Sequence, residues 1–166
     1  MARTGSKSST FDCTPEQLLE VIIDPAFQAE QRELDEAVVE AKTEIISKDD
    51  KRCVFEIRAK EYDRGVTGLD KSKTIESVTK VDWDLVAMSS RWTYESTSPH
   101  ASRFTVSGGN KIRKDGERAI LDGDNSVEVR IPLLGGQIEK VVLDGLLKGR
   151  DGYDTLLKQY LAKRKG

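Results

Sequence analysis

The sequence is poor in the residues that most often carry chemistry. Among 166 residues there are one histidine and two cysteines, and aromatic residues make up only 6%. The cysteines, Cys13 and Cys53, lie 40 residues apart, a spacing that matches no zinc, haem or redox motif. We therefore predict no metal and no cofactor, and we expect both cysteines to be reduced and at least partly buried.

The single histidine also limits nucleophilic catalysis. His100 lies in the turn-like segment Ser98-Pro99-His100-Ala101, and the sequence contains no G-x-S-x-G motif. A Ser-His-Asp or Cys-His mechanism would have to use this residue. We predict instead that His100 is an exposed loop residue.

Long apolar runs and an excess of one charge are absent as well. The 27 lysines and arginines nearly balance the 29 aspartates and glutamates, so no basic field attracts nucleic acid and we predict no nucleic-acid partner. No apolar run reaches 18 residues and residues 1–9 do not resemble an export signal. We expect a cytoplasmic monomer with at most transient membrane contact. At this length one core is expected, with a disordered tail over residues 1–7 and a single domain over residues 8–166.

The first clear pattern is a helix start. Residues 8–12 are compatible with a short strand, and Thr14-Pro15-Glu16-Gln17 then supplies an N-cap hydroxyl, a proline at N1 and a glutamine at N3. The spacing predicts a helix that ends at Asp24-Pro25 and a second helix over residues 25–35. From Thr14 to Glu40 the sequence holds eight acids and one base, Arg32, which we interpret as a solvated acidic helix face.

In the middle of the chain, apolar residues alternate with polar ones, which is typical of strands half-buried in an antiparallel sheet. Glycines 65 and 68 are read as a loop, and Asp82-Trp83-Asp84 is read as a connector. The predicted strands, separated by short polar turns, are residues 37–47, 52–62, 73–81, 85–96, 103–113, 117–122 and 126–131.

The C-terminal segment has the period of a long amphipathic helix. Leu134, Ile138, Val142 and Leu146 recur at helical spacing, and a bend or break near Gly149 remains open. Helices segregated to one face of an antiparallel sheet define an α+β domain. The long helix needs the concave side of a strongly bent sheet to bury its apolar stripe, and such an arrangement leaves space for a ligand.

This order resembles the START-like (SRPBCC) superfamily, the helix-grip fold of the birch-pollen allergen that also contains polyketide cyclases and aromatases. The resemblance is carried by Cys13-Thr14-Pro15-Glu16-Gln17, by the strands of Trp83 and Trp92, and by residues 129–139. It covers about residues 8–163 and is nearest to an uncharacterised bacterial START-like family. It implies a curved antiparallel sheet wrapped around the C-terminal helix, two short helices after the first strand, and a cavity for a lipid, sterol, polyketide or similar molecule.

The inward register of the predicted strands and helix supplies the candidate ligand-binding residues. Buried hydroxyls without partners cost about 1–3 kcal/mol each, so those of Ser77, Thr79 and Ser90 indicate a ligand, a water or a wet sheet edge. Trp92 and Tyr94 suit a cavity wall but suit a packed core equally well. Glu61 falls in the apolar register at a strand end, where it could face the cavity mouth. The predicted lining is Phe55, Ile57, Ser77, Thr79, Met88, Ser90, Trp92, Tyr94, Val129, Ile131, Leu134, Ile138 and Val142.

No convergent set of histidine, arginine, aspartate and tyrosine stands in that register, so we predict no catalytic residues. The function expected is the binding or transport of a hydrophobic small molecule, without catalysis. Two alternatives stay open. One is an enzyme of the cyclase or hydrolase type that uses the same cavity, with Glu61 and Tyr94 as acid or base. The other is an interaction module of the chaperone-activator type that uses the sheet surface.

Overall fold

The computed structural model describes residues 2–65 and 68–165. Its seven strands form one antiparallel sheet in the order β1-β7-β6-β5-β4-β3-β2. Two short helices follow the first strand and one long helix ends the chain, so the predicted α+β helix-grip architecture is confirmed. The elements are β1 (Arg3–Phe11), α1 (Pro15–Ile22), α2 (Pro25–Arg32), β2 (Val38–Lys48), β3 (Arg52–Gly65), β4 (Gly68–Asp84), β5 (Ser89–Ser96), a 3-10 turn (Ala101–Arg103), β6 (Phe104–Asp115), β7 (Arg118–Val129) and α3 (Gly135–Lys165).

The two short helices begin where the capping pattern places them. The Thr14 hydroxyl accepts a hydrogen bond from Gln17 N at 3.1 Å, and Thr14 N donates to Gln17 Oε1 at 2.9 Å. The Asp24 carboxylate accepts from Ala26 N at 2.9 Å. These bonds satisfy amide groups that the first turn of a helix leaves unpaired, and a proline occupies N1 in both helices.

The chain is ordered earlier than the composition of residues 1–7 suggests. A strand begins at Arg3 and pairs with β7 in continuous register, from Arg3 opposite Val127 to Phe11 opposite Ala119. The predicted disorder is therefore wrong for residues 3–7, because backbone pairing along β7 holds a segment whose side chains are mostly small and polar. Gly5 contributes by lying against Leu143 and Leu147 of α3.

Three strand boundaries differ from the sequence-based expectation. Trp83 is part of β4 and is buried, because the two aspartates beside it point to the other face. The predicted strand over residues 85–96 begins only at Ser89, because the Asp84 carboxylate accepts from Val86 N and Ala87 N and closes a turn. Residues 117–131 give one strand instead of two, since Gly123, which pairs with Asn110, stays in the ladder.

The β3–β4 hairpin is longer than predicted. Gly65 and Gly68 pair with each other at the ends of the two strands, so these two glycines belong to the strands and not to a loop; residues 66 and 67 lie outside the described residues. β4 therefore starts at Gly68 instead of Lys73.

α3 is one unbroken helix of 31 residues, so the possible break near Gly149 does not occur. Arg150, the residue after that glycine, fixes this part of the helix to the sheet. Its guanidinium donates to Leu121 O at 2.7 Å and to the Asp154 carboxylate at 2.7 Å. These bonds attach the middle of the helix to the sheet.

The residues that could have carried nucleophilic chemistry do not form a site. Cys13 and Cys53 are free and buried, as predicted, and burial raises the pKa of both thiols. His100 is exposed in the turn before the 3-10 segment, also as predicted.

Candidate functional site

The inner face of the sheet is the side that α3 covers, and the strand registers bring alternate side chains onto it. Ladder pairing places side chains of neighbouring strands directly opposite each other. Residues predicted to point inward on three successive strands do form rows, namely Phe55–Val81–Trp92 and Ile57–Thr79–Tyr94. The predicted inward register is therefore confirmed for β3 and β4. In β5 it is confirmed from Ser90 onward.

α3 does not lie over the middle of this face. It packs along β1 and β7 at one side of the sheet, and its C-terminal end packs on α1 and α2. Two separate buried clusters form beneath it: the larger contains Leu157 with Phe27 and Trp83, and the smaller contains Leu143 with Val127. The inner-face side chains of β5 and β6 beside these clusters are only partly covered.

Apolar and aromatic side chains occupy this partly covered region of the inner face. All except Tyr94 contact the buried clusters, and all are only half-buried although they face inward from the sheet or from α3. An apolar surface of this kind keeps part of its area in contact with water in the ligand-free protein. The side chains are Trp92 and Tyr94 of β5, Phe104 and Val106 of β6, and Ile138, Val142 and Leu146 of α3.

The predicted lining residues divide into three groups in the structure. Thr79, Trp92 and Tyr94 are half-buried on the inner face of β4 and β5, and Ile131, Ile138 and Val142 are half-buried against the smaller cluster. Five others are buried within or beside the packed clusters: Phe55, Ile57, Ser77, Ser90 and Val129.

The remaining two lie apart from this surface. Met88 belongs to the turn before β5, with a backbone φ of 54°, and Leu134 precedes α3 and is 46% exposed. Both positions differ from the prediction. The predicted strand over residues 85–96 included Met88, and the predicted apolar face of the C-terminal helix included Leu134, which precedes the first helical residue.

A polar centre lies at one end of this surface and consists of Glu61, Arg32, Tyr94 and Ser77. Glu61 ends the inward register of β3 and is only 3% exposed. Its Oε2 accepts a hydrogen bond from Arg32 Nη2 at 2.8 Å and another from the Tyr94 hydroxyl at 2.8 Å. The Arg32 guanidinium also lies 5.9 Å from the centre of the Tyr94 ring. The sequence left the orientation of Glu61 open, and the structure places it on the inner face.

The charges around the polar centre are compensated. Arg32 binds Glu61 through Nη2, and its Nη1 lies 3.5 Å from the Asp35 carboxylate. Arg64 Nη2 donates to the same aspartate at 2.9 Å. A buried charge is tolerated only when it is paired and hydrogen-bonded. Two acids and two bases thus neutralise each other at this end of the inner face.

The environment of Tyr94 keeps its phenol protonated. Burial raises the pKa of Tyr94 first, and the negative charge and hydrogen bond of Glu61 raise this pKa further. Tyr94 can therefore donate a hydrogen bond at neutral pH but cannot act there as a base.

Ser77 is the member of the polar centre whose hydroxyl lacks a well-formed hydrogen bond. It is 2% exposed, and its Oγ makes no hydrogen bond of normal geometry among the described residues, although it lies near enough to the Tyr94 hydroxyl to lower the pKa of that phenol. Among the described residues, one further buried side-chain atom lacks a partner, namely Thr43 Oγ1 on β2. Buried polar atoms without partners are uncommon, and each of them requires a physical explanation.

Sequence reasoning missed Arg32 as a site residue. It ends α2, and only the folding of α2 over β3 brings it to Glu61. One signal was present: Arg32 is the sole base among eight acids between residues 14 and 40, and a base kept in such a segment has a specific partner to neutralise.

An open groove of about 830 Å³ lies elsewhere, lined mainly by outward-facing side chains of the sheet. Its charged residues pair with each other: Arg52 binds Asp82, and Arg91 lies 3.9 Å from Asp124. This groove is open, most of its lining residues are charged or hydroxyl-bearing, and it contains none of the aromatic surface of the inner face. We therefore place the candidate site on the inner face.

The described residues contain neither a cluster of metal ligands nor a membrane-spanning helix. No group of three histidine, cysteine, aspartate or glutamate side chains there is arranged to hold a metal ion. No helix within residues 2–65 and 68–165 is long and apolar enough to cross a membrane.

Solved structures of similar shape share the helix-grip fold. TTHA0849 from Thermus thermophilus superposes with a TM-score of 0.65 and 14% identity, over 99% of this chain and 100% of that one. The ZhuI aromatase/cyclase from Streptomyces sp. R1128 gives 0.65 and 14%, over 100% and 97%. A START superfamily protein from Mycobacterium smegmatis gives 0.56 and 14%, over 96% and 97%. At these identities the likeness shows the helix-grip fold alone.

No curated protein matches the chain by sequence. A family model does match, over residues 6–161, which is nearly the entire chain. The chain thus belongs to the family described as "Protein of unknown function (DUF2505)".

Proposed function

We propose that this protein binds a hydrophobic small molecule on the inner face, between β5, β6 and the N-terminal half of α3, without covalent chemistry. The observation that carries the proposal is the half-buried set of apolar and aromatic side chains between the two packed clusters. A ligand there would remove their remaining apolar area from water, at about 25 cal/mol per Å². The START-like fold, which binds hydrophobic ligands, supports the same reading. Lipids, sterols and related molecules are the ligand classes this proposal includes.

Filling the site tests the proposal. Ile138 lies in the proposed site, so Ile138→Trp would occupy the space that a ligand needs. The neutral probe N-phenyl-1-naphthylamine, which fluoresces in apolar surroundings, reports on binding. We expect wild-type protein to bind the probe and Ile138→Trp to weaken binding by at least about tenfold, or about 1.4 kcal/mol.

Val141→Trp is the matched control. Val141 lies on the same helix but is 71% exposed and points away from the sheet, so a tryptophan there should leave binding unchanged. Absence of probe binding to the wild type, or equal binding by Ile138→Trp, would contradict the proposal.

A second candidate function is an acid–base reaction of the polyketide cyclase type in the same space. The bond between Tyr94 and Glu61 favours it, and an aromatase/cyclase has the same fold. In that reaction Glu61 would take a proton from the carbon beside a carbonyl, and Tyr94 would donate a hydrogen bond to the carbonyl oxygen. Turnover of a poly-β-ketone substrate that disappears in both Glu61→Gln and Tyr94→Phe would support this function. Turnover unchanged in both variants would exclude these roles.

A further inference from the structure

The polar centre has hydrogen-bonding capacity that the protein does not use. Glu61 Oε2 receives the bonds from Arg32 and Tyr94, and within the described residues no donor reaches Oε1. An ionised carboxylate offers about four acceptor sites, so Oε1 keeps acceptor capacity that a ligand or a water can use. Oε1 is thus an acceptor positioned on the inner face without a donor.

The hydroxyl of Ser77 lies on the same face of the sheet as this acceptor. Ser77 pairs with Ala59, two residues before Glu61 on the same face of β3, so Ser77 and Glu61 are diagonal neighbours. A hydroxyl can donate one hydrogen bond and accept others. The two groups together match a partner that can donate to Glu61 and accept from Ser77.

The charges of the polar centre restrict what that partner can be. Arg32 is engaged by Glu61 and Asp35, and Arg64 is engaged by Asp35. A carboxylate or phosphate group on the ligand would therefore meet the negative charge of Glu61 without gaining a free cation from this centre. Like charges held close in a poorly solvated site repel each other strongly.

From these contacts we infer that the ligand carries a neutral hydrogen-bond donor, a hydroxyl on an apolar body, that binds Glu61 Oε1 and Ser77 Oγ. This inference rests on the proposed function and names the polar end of its ligand. The Tyr94 hydroxyl and Arg32 hold the carboxylate in place, while the apolar body of the ligand extends over Trp92 toward α3.

Three naphthalenes that differ in one group test the inference. 2-Naphthol carries a hydroxyl donor, 2-methoxynaphthalene lacks the donor, and 2-naphthoate carries a negative charge. Each would be titrated as a competitor against N-phenyl-1-naphthylamine. We expect the naphthol to bind about tenfold more tightly than either of the others, because only the naphthol can pair with Oε1.

Two variants assign the preference to the polar centre. Ser77→Ala and Glu61→Gln should each reduce naphthol affinity toward that of the methyl ether and leave the ether itself unchanged. The matched controls lie on the outer face of the same sheet: Ser107→Ala on β6, and Glu56→Gln on β3, where Glu56 pairs with Arg58 at 2.7 Å. Ser77→Ala is the milder change and keeps the test valid if Glu61→Gln fails to fold.

The outcomes separate the two claims. If the ether or the naphthoate binds as tightly as the naphthol, and Ile138→Trp still blocks all three, the inference is wrong and the proposed function stands. A naphthol preference that survives in Ser77→Ala and in a folded Glu61→Gln also overturns the inference. If wild-type protein binds none of the probes, both the inference and the proposed function fail.

Discussion

At the scale of single residues, the position of Trp92 depends on a glycine in the neighbouring strand. Trp92 of β5 pairs with Gly108 of β6, and its indole lies flat over that glycine. A Cβ atom at position 108 would lie 2.6 Å from Trp92 Cζ2 and nearer still to the backbone oxygen of Asp124. The absence of a side chain at Gly108 therefore allows the largest aromatic of the proposed site to lie close against the sheet.

Gly108→Ala should destabilise the protein. Overpacking of a close contact typically costs about 1–3 kcal/mol, and here a backbone atom blocks relief. Gly145→Ala is the control, since nothing lies within 4 Å of a Cβ at that position on α3. Alanine favours a helix over glycine by up to about 1 kcal/mol, so the control should gain stability. Urea unfolding measures both, and a Gly108→Ala variant as stable as the wild type would contradict the proposed packing of Trp92.

The residues of the site were predictable to different degrees. Alternation in β3 identifies the inward position of Glu61, because the period of a strand is local information. The partner Arg32 was not predictable, since it reaches Glu61 only through the path of the chain between α2 and β3. Met88 falls in a turn and not in the predicted strand, because the Asp84 carboxylate turns the backbone after residue 84, later than the connector predicted at residues 82–84.

At the scale of elements, α3 is attached to the sheet by a polar contact in the middle of its length. Arg150 and Asp154 are almost buried, with 11% and 14% of their side chains exposed, and they lie one helical turn apart. Arg150 also donates to Leu121 O of β7, and Ser9 of β1 binds the Asp154 carboxylate. This contact ties α3 to both strands at one side of the sheet.

Arg150→Ala should therefore cost far more than the loss of an ordinary surface pair. Removing one partner of a buried ion pair leaves the other charge unpaired, which typically costs about 3–5 kcal/mol. Arg118→Ala is the comparison, since Arg118 is 61% exposed and lies 3.6 Å from Asp12. A change there should stay within about 0.5 kcal/mol. Equal losses for the two variants in urea unfolding would disprove this role of Arg150.

Element boundaries were less predictable than element types. The capping residues Thr14 and Asp24 locate the starts of α1 and α2, because a cap is a bond within one turn of the chain. Gly123 reads as a turn residue, yet it stays in β7 because Arg150 of a distant helix fills the space above it. Boundaries that depend on a partner far along the chain are not encoded in the local pattern.

At the scale of the whole molecule, α3 serves two purposes along one apolar stripe. Its C-terminal half packs with α1, α2 and β3 in the larger cluster, and its N-terminal half borders the partly covered region of the inner face. The order of elements predicts the fold, since a long amphipathic helix after an antiparallel sheet must bury its stripe on that sheet. Which half of the stripe is buried depends on the curvature of the sheet, and periodicity carries no information on that.

A leucine-to-alanine substitution in each half of α3 should distinguish core packing from ligand binding. Leu157 is 0% exposed in the larger cluster, so Leu157→Ala should cost about 2–5 kcal/mol. Leu146 is half-buried beside the proposed site, and Leu146→Ala should cost less than half as much because its side chain is not enclosed. Binding of N-phenyl-1-naphthylamine should change in Leu146→Ala and remain at the wild-type level in a folded Leu157→Ala. If Leu146→Ala were as costly as Leu157→Ala and left probe binding unaltered, the N-terminal half of α3 would lie in a filled core, and a ligand would have no apolar surface to occupy there.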